Sequence, residues 1–296
     1  VGFLSPDLCD HPVGMFLLPV LGALDRQRIQ PVLYSSGGRD DDTRQALRQQ
    51  AAWLDVSALD AASLLATLRS HQLDVLVDLS GHTAGHRLAV LARRAAPLQV
   101  SWLGYFATTG VPAIDYVLMD RWHVPAGGER QFTEQVAYLP HGRFCYRAPA
   151  FAPAVAPPPA IQRGYITFGS FNNPAKYHDG VFDRWAQILS AVPDSRLLLK
   201  WRDYSAASAC QQVRDAFAQR GICPARIELR PFSCHAELLG EYADMDIALD
   251  PFPFTGGHTS CEALWMGVPV VSWPQERAVS RQTWAFLSAL GLTELA

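Results

Sequence analysis

The chain has 296 residues, a net charge of −3 and a pI near 6.3, so it lacks the basic excess that binding nucleic acid or an anionic membrane requires. Hydrophobic residues make up 49% and charged residues 18%, which excludes a disordered chain and predicts one large domain or two ordinary ones.

The first strand is expected at Val1–Ser5, followed by a polar turn with Asp10, His11 and Pro12. Val13, Phe16, Leu17, Val20, Leu21 and Leu24 then fall on one helical stripe interrupted by Pro19, where a kink is expected. A second strand is predicted over Gln30–Tyr34, a solvated acidic loop at Asp40–Asp42, and helices around Ala46–Leu47 and over Ala61–Ser70. Leu73–Leu79 is apolar enough for a strand buried on both faces, and it runs into a glycine turn, Ser80-Gly81-His82. Shorter strands are expected at Val100–Trp102, Ile114–Leu118 and Val136–Leu139. Ala148–Ala160 is rich in proline and alanine and carries no charge, the composition of a semi-rigid linker. Beyond it the alternation restarts. Strands are predicted at Tyr165–Phe171, Arg196–Trp201, Arg226–Arg230, Ile247–Leu249 and Val268–Val271, with helices between them and a last helix over Ser280–Leu290.

Strands alternating with helices predict βαβ units and mostly parallel sheets. The expected fold class is therefore α/β, with two Rossmann-like domains, residues 1–150 and 151–296, facing a central cleft. The six cysteines form no C-x-x-C and no zinc spacing, which predicts reduced thiols in a cytoplasmic protein. No run is long enough to span a membrane and no signal peptide is visible. Both ends read as interrupted elements, so a piece of a longer protein is expected.

The most informative stretch is Asp250-Pro-Phe-Pro-Phe-Thr-Gly-Gly-His-Thr-Ser-Cys-Glu262, between the last two strands. A strand, a glycine turn at Gly256-Gly257 and a helix start near Thr259 make an anion-binding geometry. Glycines let the backbone approach closely, and first-turn N–H groups point at the ligand. Thr259 and Ser260 add hydroxyls there. A ligand-free reading competes: Thr259-x-x-Glu262 also fits a capping box.

Together with Phe171-Asn-Asn-Pro-Ala-Lys176, Ser5-Pro-Asp7, His11-Pro12, Asp78-Leu-Ser-Gly81 and Ala96-Pro-Leu-Gln-Val-Ser-Trp-Leu-Gly-Tyr105, this stretch resembles the catalytic region of the protein O-GlcNAc transferases, bacterial members most of all. The resemblance covers nearly the whole chain. It implies a GT-B fold in which the C-terminal domain (151–296) binds the UDP-sugar and the N-terminal domain (1–150) lies on the acceptor side. It implies inverting transfer of N-acetylglucosamine from UDP-GlcNAc to Ser or Thr hydroxyls of proteins, with no metal and no other cofactor. Family members usually carry tetratricopeptide repeats ahead of this region.

Carried over residue by residue, the resemblance makes His11 the active-site histidine and Lys176 the lysine on the donor phosphates. Gly256, Gly257, His258, Thr259 and Ser260 form the phosphate turn, Glu262 holds the ribose, and His235 lies near the uridine segment. Asn173 stands where animal enzymes have glutamine, and Ala175 where they have tyrosine. His82, in the other glycine turn, is a possible further site residue.

The chemistry suits these residue types. Breaking the sugar–phosphate bond builds negative charge on UDP, which a fixed ammonium and helix N–H dipoles stabilise. The acceptor hydroxyl must lose a proton, and a histidine can take it or only position the reactants. Asp244-Met-Asp246 has the spacing of a cation-holding D-x-D, but its place at a strand start reads as coincidence. Transfer of another nucleotide sugar, or an inactive UDP-sugar sensor, stays open. A dinucleotide oxidoreductase is disfavoured, because no G-x-G-x-x-G follows a first strand.

Overall fold

A computed structural model describes residues 1–296, and the chain divides into two units, Val1–Arg147 and Ala148–Ala296. The division falls at the start of the proline- and alanine-rich segment.

Unit 1 contains β1 (Gly2–Ser5), α1 (Pro12–Ala23), β2 (Val32–Ser35), α2 (Asp42–Gln50), β3 (Ala52–Asp55), α3 (Ala61–Ser70), β4 (Val75–Asp78), α4 (Leu88–Leu91), β5 (Leu98–Ser101), β6 (Tyr116–Met119) and β7 (Gln135–Tyr138). All seven strands are parallel, in the order β3-β2-β1-β4-β5-β6-β7. β1 is buried along its whole length, as a central strand covered on both faces must be. Edge strand β3 was not expected from the sequence. Its Ala-Trp-Leu-Asp has no apolar alternation, its end residues are exposed, and only Ala51 separates it from α2, so no turn signal precedes it.

The turn that carries His11 is fixed from two sides. A Cβ on Gly14, in the first turn of α1, would stand 2.2 Å from the Cys9 carbonyl oxygen, so only glycine lets that turn lie against the helix. Asp41 accepts from the Asp10 N–H at 2.8 Å and caps α2 by accepting from the Arg44 N–H at 2.9 Å. The Asp40–Asp42 run is therefore a helix cap that ties down a neighbouring loop, where the sequence suggested a solvated loop. α1 continues through Pro19.

Unit 2 contains α5 (Ala160–Arg163), β8 (Thr167–Ser170), α6 (Asp179–Ala191), β9 (Arg196–Lys200), α7 (Ala207–Ala218), β10 (Ile227–Arg230), α8 (His235–Glu241), β11 (Ile247–Leu249), α9 (His258–Trp265), β12 (Val270–Val271) and α10 (Gln282–Leu290). Its five strands are parallel in the order β10-β9-β8-β11-β12. β9 shows why this sheet reads as an unbroken apolar run. Leu197 and Leu199 join one buried cluster with Trp185, Leu189 and Phe217 of α6 and α7, while Leu198 joins another with Leu239, Ala263 and Met266. Successive side chains alternate, yet both faces are covered.

Candidate active site

The C-terminal end of β11 builds the glycine turn. Asp250 follows the strand and is 5% exposed. Its Oδ1 accepts from the Gly256 N–H at 2.6 Å, and its Oδ2 accepts from the Ser272 hydroxyl at 2.7 Å. Burial raises its pKa, while hydrogen bonds from Thr283, Ser272 and Gly256 and the charge of Lys176 oppose the rise. The turn is also tied to α10. The Gln282 amide donates to the Thr255 carbonyl at 3.1 Å, Ser260 and Thr283 hydroxyls meet at 2.8 Å, and Thr283 donates to the Gly256 carbonyl at 3.2 Å. A Cβ on Gly256 would lie 2.2 Å from Ser260 Oγ and 3.1 Å from Asp250 Oδ1, so the close approach requires glycine.

Lys176 reaches this turn from the loop after β8. Its Nζ donates to Asn172 Oδ1 and to the Thr255 carbonyl, both at 2.9 Å, and sits 4.4 Å from the Phe254 ring centre. Burial pushes its pKa down to about 8, with Asp250 pulling the other way. A half-buried ammonium on the turn is not the solvated surface lysine that usually follows a strand.

Glu262 lies one turn into α9 and is 3% exposed. The capping-box reading fails here. Gly257 is the N-cap and carries no side chain, Thr259 is already the second helical residue, and Thr259 donates to Asn172 Oδ1 at 3.2 Å. Glu262 Oε1 accepts from His235 Nε2 at 2.6 Å and meets His258 Nδ1 at 3.2 Å, while Oε2 accepts from the Tyr242 hydroxyl at 3.3 Å. Burial alone would raise the carboxyl, but the charge of His258 and hydrogen bonds from both histidines outweigh it and hold the pKa at about 2.

The structure thus gathers Lys176, Gly256, Thr259 and Ser260 into one network, and Glu262, His235 and His258 into an adjoining one. Gly257 heads the helix between them. Asn173 stands outside: its Oδ1 accepts from the Ala175 N–H at 3.0 Å and shapes its own turn. The neighbouring Asn172, which sequence reasoning passed over, touches both Lys176 and Thr259. Asp250, Thr255, Tyr242, Gln282 and Thr283 were also missed. Only Asp250 had a legible signal, an acid directly after a buried strand.

In unit 1, His11 is the N-cap of α1 and its Nδ1 accepts from the Val13 N–H at 3.3 Å. A neutral ring accepting at Nδ1 carries its proton on Nε2 and presents a donor. The Asp7 carboxylate lies 4.0 Å from Nδ1. His82 Nε2 bonds the Thr109 carbonyl at 2.7 Å, and its ring packs edge-on to Tyr105, a place that holds its loop together. Beside it Asp78 is 1% exposed and accepts from the Gly81 N–H at 2.7 Å, and burial raises its pKa to about 7.

The D-x-D residues are spent on structure. Asp244 pairs with Arg163 and with Arg230, while Asp246 accepts from the Ala160 and Thr167 N–H groups at 2.9 and 2.8 Å.

The sequence pattern of glycosyl transferase family 41 matches residues 1–148 and 160–296. The chain belongs to this family. A probable UDP-N-acetylglucosamine–peptide N-acetylglucosaminyltransferase SPINDLY from Solanum lycopersicum is 37% identical over 278 residues, which is 92% of this chain and 30% of that protein. The chain therefore spans under a third of the length of this relative. An O-GlcNAc transferase of Thermobaculum terrenum, solved as a mutant, superposes with a TM-score of 0.95 at 38% identity, covering 99% of this chain and 56% of that one. The Anabaena protein HepE, solved with UDP and glucose, covers 99% of this chain and 96% of its own at a TM-score of 0.56 and 14% identity, a likeness of fold alone. Paired α/β units with parallel sheets are the GT-B architecture of these neighbours. No helix is long and apolar enough to cross a membrane.

Proposed function

We propose that this family 41 chain is the catalytic region of an inverting transferase that moves N-acetylglucosamine from UDP-GlcNAc to Ser or Thr hydroxyls of proteins. The names of the SPINDLY and Thermobaculum relatives support the donor and the acceptor class. The observation that carries the reading is the Lys176 ammonium held against the glycine turn at the head of α9. There a half-buried cation and first-turn N–H dipoles can converge on one anion, the arrangement a departing diphosphate needs.

In this reading unit 2 (Ala148–Ala296) takes the donor. Gly256, Gly257, His258, Thr259 and Ser260 cradle the pyrophosphate, Lys176 neutralises charge on the leaving UDP, Glu262 with His235 holds the ribose, and Asn173 only shapes the lysine loop. Unit 1 (Val1–Arg147) supplies His11. As it stands His11 enters as an Nε2–H donor that positions a reactant. A base role requires its proton to move to Nδ1, toward Asp7, freeing Nε2. No metal is needed, because Lys176 and the α9 dipole supply the positive charge and both D-x-D carboxylates are committed to structural partners. Tetratricopeptide repeats ahead of this region, and a cytoplasmic location, complete the proposal.

The test is turnover of a panel of UDP-sugars with Ser/Thr peptides, read as UDP release and peptide mass, with and without EDTA. The expected result is addition of N-acetylhexosamine, unchanged by EDTA. Transfer of a different sugar, or UDP binding without turnover, overturns the assigned reaction. Activity lost to EDTA and restored by Mg²⁺ overturns the metal-free step.

A further inference from the structure

Phe151 is the one aromatic residue of the proline- and alanine-rich segment that opens unit 2, and 54% of it is exposed. A large apolar ring left in solvent on a stiff backbone calls for an explanation. Its backbone is fixed: the Ala152 N–H donates to the Pro149 carbonyl at 3.0 Å, Ala152 packs against the buried cluster under α8 and α9, and Pro149 and Pro153 flank the turn. The ring meets His235 with centroids 5.4 Å apart and planes at 80°, a T-shaped contact that leaves more than half of Phe151 open to solvent. His235 in turn bonds Glu262 at 2.6 Å, and its ring lies 6.0 Å from that of His258, which heads α9 directly after the glycine turn.

Moving outward from the turn, the side chains come in the order His258, Glu262 with His235, then Phe151. A nucleotide laid along that path has the same order of parts: phosphates at the turn, ribose at the carboxylate, base at the exposed ring. We propose that Phe151 is a stacking platform for the nucleobase of the donor. This rests on the reading that the phosphates sit at Gly256–Thr259. Stacking suits the site because every base offers a π-face and the ring is held in advance, so little ordering cost opposes binding. The segment that joins the two units thereby acts as part of the donor site, and the chemistry it recognises is a planar heteroaromatic ring.

The test compares UDP and inorganic pyrophosphate by calorimetric titration of the intact protein, wild type against Phe151→Ala and Phe151→Trp. Loss of one base–aromatic stack should raise the Kd of Phe151→Ala for UDP by about tenfold or more, leaving pyrophosphate binding unchanged. Phe151→Trp should restore UDP affinity. Equal UDP affinity in wild type and Phe151→Ala overturns the platform and leaves the phosphate site standing. Parallel weakening of UDP and pyrophosphate also overturns it, since the ring would then act on the fold. A wild type that binds pyrophosphate but gains nothing from the uridine refutes the platform, and one that binds neither refutes the phosphate-site reading beneath it.

Discussion

Lys176→Met removes the ammonium at nearly constant volume, and the structure fixes what else should change. The fall of its pKa from 10.5 to about 8 corresponds to roughly 3 kcal/mol by which burial disfavours the charged form, an upper bound because Lys176 is only half-buried. The unfolded chain keeps this proton to higher pH than the folded one. Stability from this group therefore rises with pH through the window between about 8 and 10.5, and at pH 7 the folded protein carries the full cost. Methionine abolishes that cost but also two charge-assisted hydrogen bonds, each worth roughly 1.5–3 kcal/mol. Neither acceptor is orphaned, because Asn172 Oδ1 keeps Thr259 at 3.2 Å and the Thr255 carbonyl keeps Gln282 at 3.1 Å. The two bonds together equal or outweigh that cost by up to about 3 kcal/mol, so the offset is only partial and the Tm should fall by up to about 10 °C. Transition-state stabilisation has no such compensation: kcat should drop about 10²–10³-fold. Wild-type kcat/KM should fall above pH about 8 as Lys176 loses its proton, and that limb should vanish in Lys176→Met. Steady-state kinetics across pH together with thermal denaturation decides the matter. Near-normal kcat, or an activity loss that merely tracks unfolding, would refute the leaving-group role.

Gly256→Ala should destabilise the protein by about 1–3 kcal/mol through overpacking, because the new Cβ meets Ser260 Oγ at 2.2 Å and that hydroxyl is pinned by Thr283. Gly257→Ala should be milder, since its Cβ meets only the end of the Gln282 side chain at 2.9 Å; equal Tm losses would sink the crowding argument. Glu262→Gln should remove a pH-dependent stabilisation. A carboxyl lowered from 4.5 to about 2 contributes at most roughly 3 kcal/mol, present above pH 4.5 and lost as pH falls toward 2. Denaturant titrations of the two proteins should show a stability gap that closes through that window, and a gap independent of pH would contradict the ion cluster.

How legible all this was depended on whether one chain segment held the information. The glycine turn was readable because the strand, the turn and the helix start are consecutive, and the short strand at Ile247–Leu249 is apolar enough to stand out. The partners of that turn come from β8's exit, α8 and α10, which nothing local marks. Asn172 and Asn173 look alike in sequence, and only the turn geometry sends one toward Lys176 and the other back to its own loop. The pattern Thr259-x-x-Glu262 satisfied a local rule, yet the N-cap is Gly257, two residues earlier, and tertiary contacts from His235 and Tyr242 claim the carboxylate. β3 was invisible because an edge strand needs little apolar surface of its own.

Asp250 connects these observations and carries the last prediction. It holds the glycine turn through the Gly256 N–H, yet it touches Lys176 only through its charge, which raises the lysine's pKa against the effect of burial. Asp250→Asn separates the two roles. The asparagine oxygen can still accept from Gly256, and the Ser272 hydroxyl can turn to accept from the amide, so the turn keeps its shape. What disappears is the anion beside the ammonium. The Lys176 pKa should then fall further below about 8, and the alkaline limb of kcat/KM should move to lower pH while activity at acid pH stays close to wild type. A structural lesion would lower activity at every pH and leave the limb in place. An unmoved limb with intact acid-side activity would show that Asp250 does not act on Lys176 through charge, and that the lysine's proton is set by burial alone.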